Sequence, residues 1–140
     1  VDAVDKDQCY RWSLFDHPPT AGWRSSRAVL LGDAAHASLP FMASGAAMAI
    51  EDARILDRAL STFNDVPLAL KSYELTRKPR TSYVQRTSAK MGSLYHLESS
   101  MMRRLAFKGF DIAMRSRDSI LPSYDANQVE LIQPIKAPQY

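Results

Sequence analysis

The sequence predicts an α/β fold in which a buried strand feeds a ligand-binding loop and then a helix, and three observations predict it. Residues 27–31, RAVLL, form a short continuous apolar run, the pattern of a strand covered on both faces. Gly32 ends the run and Asp33 follows, which puts a conformationally free residue and a carboxylate at the strand's C-terminal end, the edge where open α/β folds place ligands. The stretch 45–60 then sets Ala46, Ala49, Ile50, Ala53, Leu56 and Leu60 on one helical stripe, with Glu51, Asp52, Arg54, Asp57 and Arg58 largely elsewhere.

The remaining elements follow in order. Residues 8–16, QCYRWSLFD, mix aromatic and polar positions and run into His17-Pro18-Pro19, so they read as a strand closed by a turn. The Pro-Pro pair and Gly22 mark a loop, and a second loop runs through Pro40 to the helix at Gly45. A polar break over 61–67 precedes a helical stretch from about Leu68 toward His96, which Pro79 should kink or divide. Gly92 weakens a third helical pattern whose apolar stripe is Leu94, Leu97, Met101 and Leu105. Met91, Met101, Met102 and Met114 read as adaptable core filling, and Tyr10, Trp12 and Tyr95 as core packing. Beyond Pro122 the chain is polar and extended. The organisation is therefore residues 1–60 as part of a ligand-binding domain, 61–121 as C-terminal helices, and 122–140 as an extended tail.

Composition excludes several classes of function. With 140 residues, 46% hydrophobic and 24% charged, the chain resembles a globular domain with one modest core. No apolar run approaches the roughly 20 residues that cross a bilayer, and the opening VDAVDKDQ is too acidic and polar for a secretory signal. Cys9 is the single cysteine, so no internal disulfide and no cysteine-rich zinc site can form; a reducing, intracellular and cytoplasmic location fits best. The net charge of +3 is small and scattered, gathered mainly in Arg77, Lys78 and Arg80 and in Arg103, Arg104 and Lys108, without an RNA-binding aromatic signature. Nucleic acid is not the expected partner.

The chemistry resides in residues 27–53, RAVLLGDAAHASLPFMASGAAMAIEDA. Asp33 can accept hydrogen bonds from the hydroxyls of a sugar or ribityl chain, and Gly32 allows such a ligand close to the backbone. The helix starting near Gly45 offers unpaired N–H groups and the positive end of its dipole, suited to an anionic ligand edge. These residues, from GDAAH through Pro40 and Gly45 to Glu51-Asp52-Ala53, resemble the GD motif of flavoprotein monooxygenases of the aromatic hydroxylase type, including the salicylate-hydroxylase-like enzymes. The flanks resemble that family too, with WSLFD and a following proline before the motif and SYELTRKPRTSYVQRTS after it.

The resemblance implies the C-terminal part of a Rossmann-type FAD-binding fold: strand, GD loop, helix, then C-terminal helices. It implies FAD as cofactor, ribityl hydroxyls at Asp33 beside Gly32, the pyrimidine edge of the ring near the helix start at Gly45, Ala46 and Ala47, and Pro40 beside the reactive face. It implies NADPH or NADH as reductant, dioxygen adding at the flavin C4a position, and transfer of one oxygen atom to an aromatic small molecule. No protein nucleophile and no metal ligand is nominated. Two features depart from the family pattern. Ala43 and Ala47 stand where the family has Gly and Gly or Asn, which removes backbone freedom there, and Phe41 stands where a polar residue is frequent, as an apolar wall near the substrate. No G-x-G-x-x-G run occurs among the five glycines, so the chain reads either as a piece of a longer enzyme, inactive alone, or as a truncated non-catalytic homologue acting as a binding or assembly module. His36 is expected to be a packed, hydrogen-bonded histidine, His17 and His96 structural or exposed, and Glu51 and Asp52 stabilisers of the helix dipole.

Overall fold

The computed structural model describes residues 5, 7, 9, 10, 12–115 and 124–134. Its elements are a four-residue helix α1 (Asp33–His36), a 3-10 turn (Pro40–Met42), helix α2 (Gly45–Thr62), a long helix α3 (Val66–Tyr95) and helix α4 (Ser100–Arg115). α2 and α3 pack against each other and the loops wrap around them. Asp65 starts α3: its side chain accepts the Leu68 N–H at 2.9 Å, with Pro67 in the first turn, where its missing N–H leaves no helix bond unmade.

The expected strands do not form among the described residues. Segment 27–31 makes one antiparallel bridge, Arg24 to Val29, across a tight turn in which Ser25 N–H bonds Ala28 O and Leu30 N–H bonds Trp23 O, both at 2.8 Å. Leu30 and Leu31 remain partly exposed. A doubly covered strand needs neighbours on both edges for its ladder, and the described residues supply none. Segment 8–16 is likewise irregular where described, and Tyr10 and Trp12, expected in the core, are exposed.

Pro79 does not divide α3, which runs as one helix of 30 residues. An interior proline costs a helix roughly 3 kcal/mol, and tertiary anchors on both sides offset it. Glu74 and Arg77 hold partners before Pro79; Gln85 and Ser88 hold partners after it. α3 is thereby a polar spine to which the loops are tied. Gln85 donates to His17 O and Ala37 O at 3.0 and 3.1 Å, Ser88 donates to Leu39 O, and Tyr73 donates to Leu30 O at 3.3 Å. Burial pushes the Tyr73 hydroxyl well above its ordinary range, which keeps it a donor.

The core joins Trp23, Ala35, Ile55, Ala59, Ala69, Tyr73 and Leu131. Leu131 comes from the segment after Pro122. That segment packs back as a strap: Arg54 and Arg58 of α2 donate to Asn127 and Ala126 O, Ser72 of α3 donates to Ile132 O, and Thr76 Oγ1 accepts Ile132 N–H. α2 buries Met48, Asp52, Ile55 and Ala59, one step round from the predicted stripe, which leaves Ile50 72% exposed. The predicted third helix begins later, at Ser100. Met91 is buried as expected, but Met101 and Met102 are exposed and Leu94 belongs to α3; the Met114 side chain lies outside the described residues.

Candidate functional site

Gly32 turns the chain with φ +60° and ψ −139°, a region that favours glycine. A Cβ on it would meet the Ala49 Cβ at 3.4 Å, so Gly32 also lets the loop lie against α2. Ala35 N–H and His36 N–H both bond Gly32 O, at 2.9 and 3.0 Å, closing the short helix that displays Asp33. Asp33 is exposed. Its carboxylate faces α2: a Cβ built on Gly45 would lie 3.9 Å from Asp33 Oδ1.

The start of α2 completes this edge. Met48 N–H bonding Ser44 O at 2.9 Å opens the helix ladder, so the N–H groups of Gly45, Ala46 and Ala47 precede it. Ser44 does not cap them with its side chain; its hydroxyl donates to Met42 O at 2.7 Å instead. Asp33, Pro40, Ala46 and Ala47 are exposed and Gly45 is half-buried. Among the described residues the edge thus offers a free acceptor and, beside it, free donors, a fit to the hydroxyl chain and the carbonyl-bearing ring edge of a flavin.

The Gly-to-Ala departures have different consequences. Ala43 adopts the left-handed region, φ 49° and ψ 28°, at a cost of about 1–2 kcal/mol for an L-residue, whereas Ala47 sits in regular helix. Ala43→Gly is expected to raise stability by about 0.5–1 kcal/mol after the entropy of glycine in the unfolded chain is subtracted, read as a higher Tm. Phe41, expected as a wall near the substrate, packs toward α3: its ring lies 5.5 Å from that of Tyr95 and 2.8 Å from where a Gly92 Cβ would stand. Gly92 therefore admits the Pro40–Met42 turn rather than merely weakening a helix.

Beneath the edge lies a buried ionic network. Asp52 Oδ2 accepts Gly32 N–H at 2.9 Å and His36 Nε2–H at 2.6 Å, and Oδ1 accepts Arg77 Nε–H at 2.7 Å. Arg77 Nη2 donates to Glu51 at 2.8 Å and to Met48 O at 3.3 Å, and Arg80 bonds the same Glu51. His36, Asp52 and Arg77 are all 0% exposed. Burial pushes the Asp52 carboxyl up, but the bonds from His36, Arg77 and Gly32 outweigh it and hold the group below its ordinary range. An ionised carboxylate only accepts, so His36 carries its proton on Nε2. His36 Nδ1 is buried without a partner among the described residues, and Trp23 lies 5.5 Å away. Two carboxylates, Glu51 and Asp52, face two guanidiniums, Arg77 and Arg80. Tyr124 closes the network from the strap, its ring 5.1 Å from the Arg77 guanidinium and 4.2 Å from that of Arg80.

His36 is thus packed and bonded as predicted. Asp52 is not a solvent-facing dipole charge, and Arg77 and Arg80 are not members of a scattered basic surface. The signal for the network is complementary spacing, Glu51-Asp52 on one helix opposite Arg77 and Arg80 one turn apart on the next. Among the described residues no group of three or more His, Cys, Asp or Glu could hold a metal, and no helix is long and apolar enough to cross a membrane.

The chain is similar to known proteins. A family model described as an FAD binding domain matches residues 11–88. A 3-amino-4-hydroxybenzoate 2-monooxygenase of Streptomyces platensis is 38% identical over 113 residues, covering 80% of the chain and 28% of that protein. Among solved structures, a single-residue variant of Klebsiella pneumoniae HpxO complexed with FAD superimposes with a TM-score of 0.71 at 27% identity, covering 88% of the chain and 34% of its own. A salicylate hydroxylase substrate complex gives 0.69 at 32% identity, covering 83% and 29%. The chain therefore spans about a third or less of the length of each. With the family model matched over more than half of its residues, and with the GD loop, helix start and following long helix in that family's order, the chain belongs to the FAD-binding family of flavin-dependent aromatic-ring monooxygenases.

Proposed function

We propose that this chain is the C-terminal part of an FAD-dependent, NAD(P)H-consuming monooxygenase that hydroxylates an aromatic or phenolic small molecule with dioxygen. The observation that carries the reading is the meeting of Asp33 with the uncapped N-terminus of α2 at one exposed edge. Names among the relatives and solved structures, an aminohydroxybenzoate monooxygenase and a salicylate hydroxylase, support a phenolic substrate class. A Rossmann-type domain preceding the chain would hold the FAD pyrophosphate, for which the sequence has no G-x-G-x-x-G run.

Within that enzyme the chain's residues bind and orient. Asp33 accepts from the ribityl hydroxyls, Gly32 lets the backbone approach them, and the N–H groups of Gly45, Ala46 and Ala47 face the pyrimidine edge, where their dipoles favour negative charge. Pro40 lines the reactive face. Bound FAD supplies the redox chemistry, taking electrons from the nicotinamide and activating oxygen.

The test is Asp33→Ala in the full-length protein. A hydrogen bond to a charged group is worth about 1.5–3 kcal/mol, so FAD affinity is expected to fall by about 10–100-fold, with unfolding unchanged because Asp33 is exposed. Unchanged flavin content and turnover would reject the assignment. The intact mass of the protein in its source is expected to exceed 15.7 kDa; a mass at that value, without flavin, would favour the non-catalytic module.

A further inference from the structure

Asp52 holds both ends of the turn that carries Asp33. Its Oδ2 takes the amide of Gly32, the residue before Asp33, and the imidazole of His36, the residue that ends α1. Asp52 itself lies on α2, two turns beyond the N–H groups at Gly45–Ala47, at about 1.5 Å of rise per residue. One side chain therefore sets the distance between the free acceptor and the free donors of the edge. Gly32 needs such a restraint, because at φ +60° glycine has other conformations open to it. Arg77, reaching across from α3, fixes Asp52 in turn through Oδ1.

We propose that Asp52 is a positioning residue for the flavin, registering the Asp33 turn against the start of α2 through Gly32 and His36 without itself touching the cofactor. The inference rests on the assignment of Asp33 to the ribityl chain. If Asp52 acts on FAD only by aiming Asp33, its replacement matters only while Asp33 is present; if Asp52 is merely structural, the two losses multiply.

The experiment is reconstitution of the full-length apoprotein with FAD, followed by flavin fluorescence quenching, for Asp52→Asn, Asp33→Ala and the double variant, with urea midpoints of the apoproteins measured alongside. Asp52→Asn is expected to weaken FAD binding about tenfold, and the double variant to match Asp33→Ala within about threefold. Should Asp52→Asn fail to fold, His36→Leu and His36→Gln decide: Gln returns an N–H where His36 Nε2 stood and is expected to hold FAD near the native affinity, whereas Leu is expected to lose about tenfold. Multiplicative losses in the double variant, native affinity in Asp52→Asn, or equal affinities for the two His36 variants would overturn the proposal while leaving Asp33 its role. An unaltered affinity in Asp33→Ala would instead overturn the assignment on which it rests.

Discussion

Arg77→Met is expected to lower the unfolding free energy by about 3–5 kcal/mol, because it leaves the Asp52 carboxylate ionised and buried with one of its two oxygens unpaired. The substituent keeps much of the arginine's length, so little of the loss comes from a cavity. Glu51 loses a partner as well, but Arg80 remains bonded to it. By contrast the Arg54–Asp57 pair is exposed on both sides, and Asp57→Ala, which leaves the Arg54 bond to Asn127 in place, is expected to cost at most about 1 kcal/mol. Urea unfolding with a constant m value would show the difference as a shift in midpoint. Equal midpoints for the two variants would mean that the network contributes no more than a surface pair. Replacing Asp52 and Arg77 together by apolar residues is not expected to restore stability, since the Gly32 amide and His36 Nε2–H would then be buried without acceptors.

The same network sets an acid limit. The native Asp52 carboxyl titrates below its ordinary value of 3.8, because the donors from His36, Arg77 and Gly32 outweigh burial. The unfolded chain therefore binds this proton first as pH falls. The stabilisation is complete above the unfolded value and is lost as pH drops through the lower native one. Glu74, also held low against its burial by Lys78, the Trp23 amide and Arg24, acts in the same direction. Unfolding midpoints should thus be flat near neutrality and fall below about pH 4.

The parts of this site that were legible in the sequence are local ones. Gly32-Asp33 before a helix start at Gly45 can be read because a turn, a carboxylate and a helix N-terminus are encoded within a few residues of one another. Helix boundaries for α2 and the end of α3 follow for the same reason. What escaped depends on pairing across the chain. Asp52 reads as a helix-surface charge until Arg77 is placed opposite it, 25 positions away, and the choice between two adjacent helical stripes on α2 turns on that partner, since the buried stripe includes a carboxylate. Segment 27–31 is apolar enough to be read as a doubly covered strand, yet among the described residues it makes only the single bridge from Arg24 to Val29. Met101 and Leu105 make a helical stripe, as predicted, but a stripe alone does not say whether anything lies against it.

Trp23 is the residue whose importance the loop composition around it most conceals, and Trp23→Ala is expected to cost about 3–5 kcal/mol. It is 3% exposed, its ring centroid 5.5 Å from His36 and 6.1 Å from Tyr73, with the Lys78 ammonium 5.9 Å above it. Its amide bonds Glu74 at 3.0 Å and its carbonyl accepts Leu30 N–H at 2.8 Å; alanine keeps these backbone groups, so the loss measures packing. The indole N–H is buried without a partner among the described residues, and Trp23→Phe is therefore expected to cost no more than about 1.5 kcal/mol, as a shape change that sacrifices no hydrogen bond. The two variants should also part in cofactor binding. A cavity beside His36 gives the imidazole room to leave Asp52, which loosens the turn carrying Asp33, so FAD affinity should fall in Trp23→Ala and hold in Trp23→Phe. Urea unfolding followed by circular dichroism, with flavin fluorescence on the same samples, tests both halves. A destabilised Trp23→Ala that binds FAD normally would show that packing behind His36 serves the fold alone.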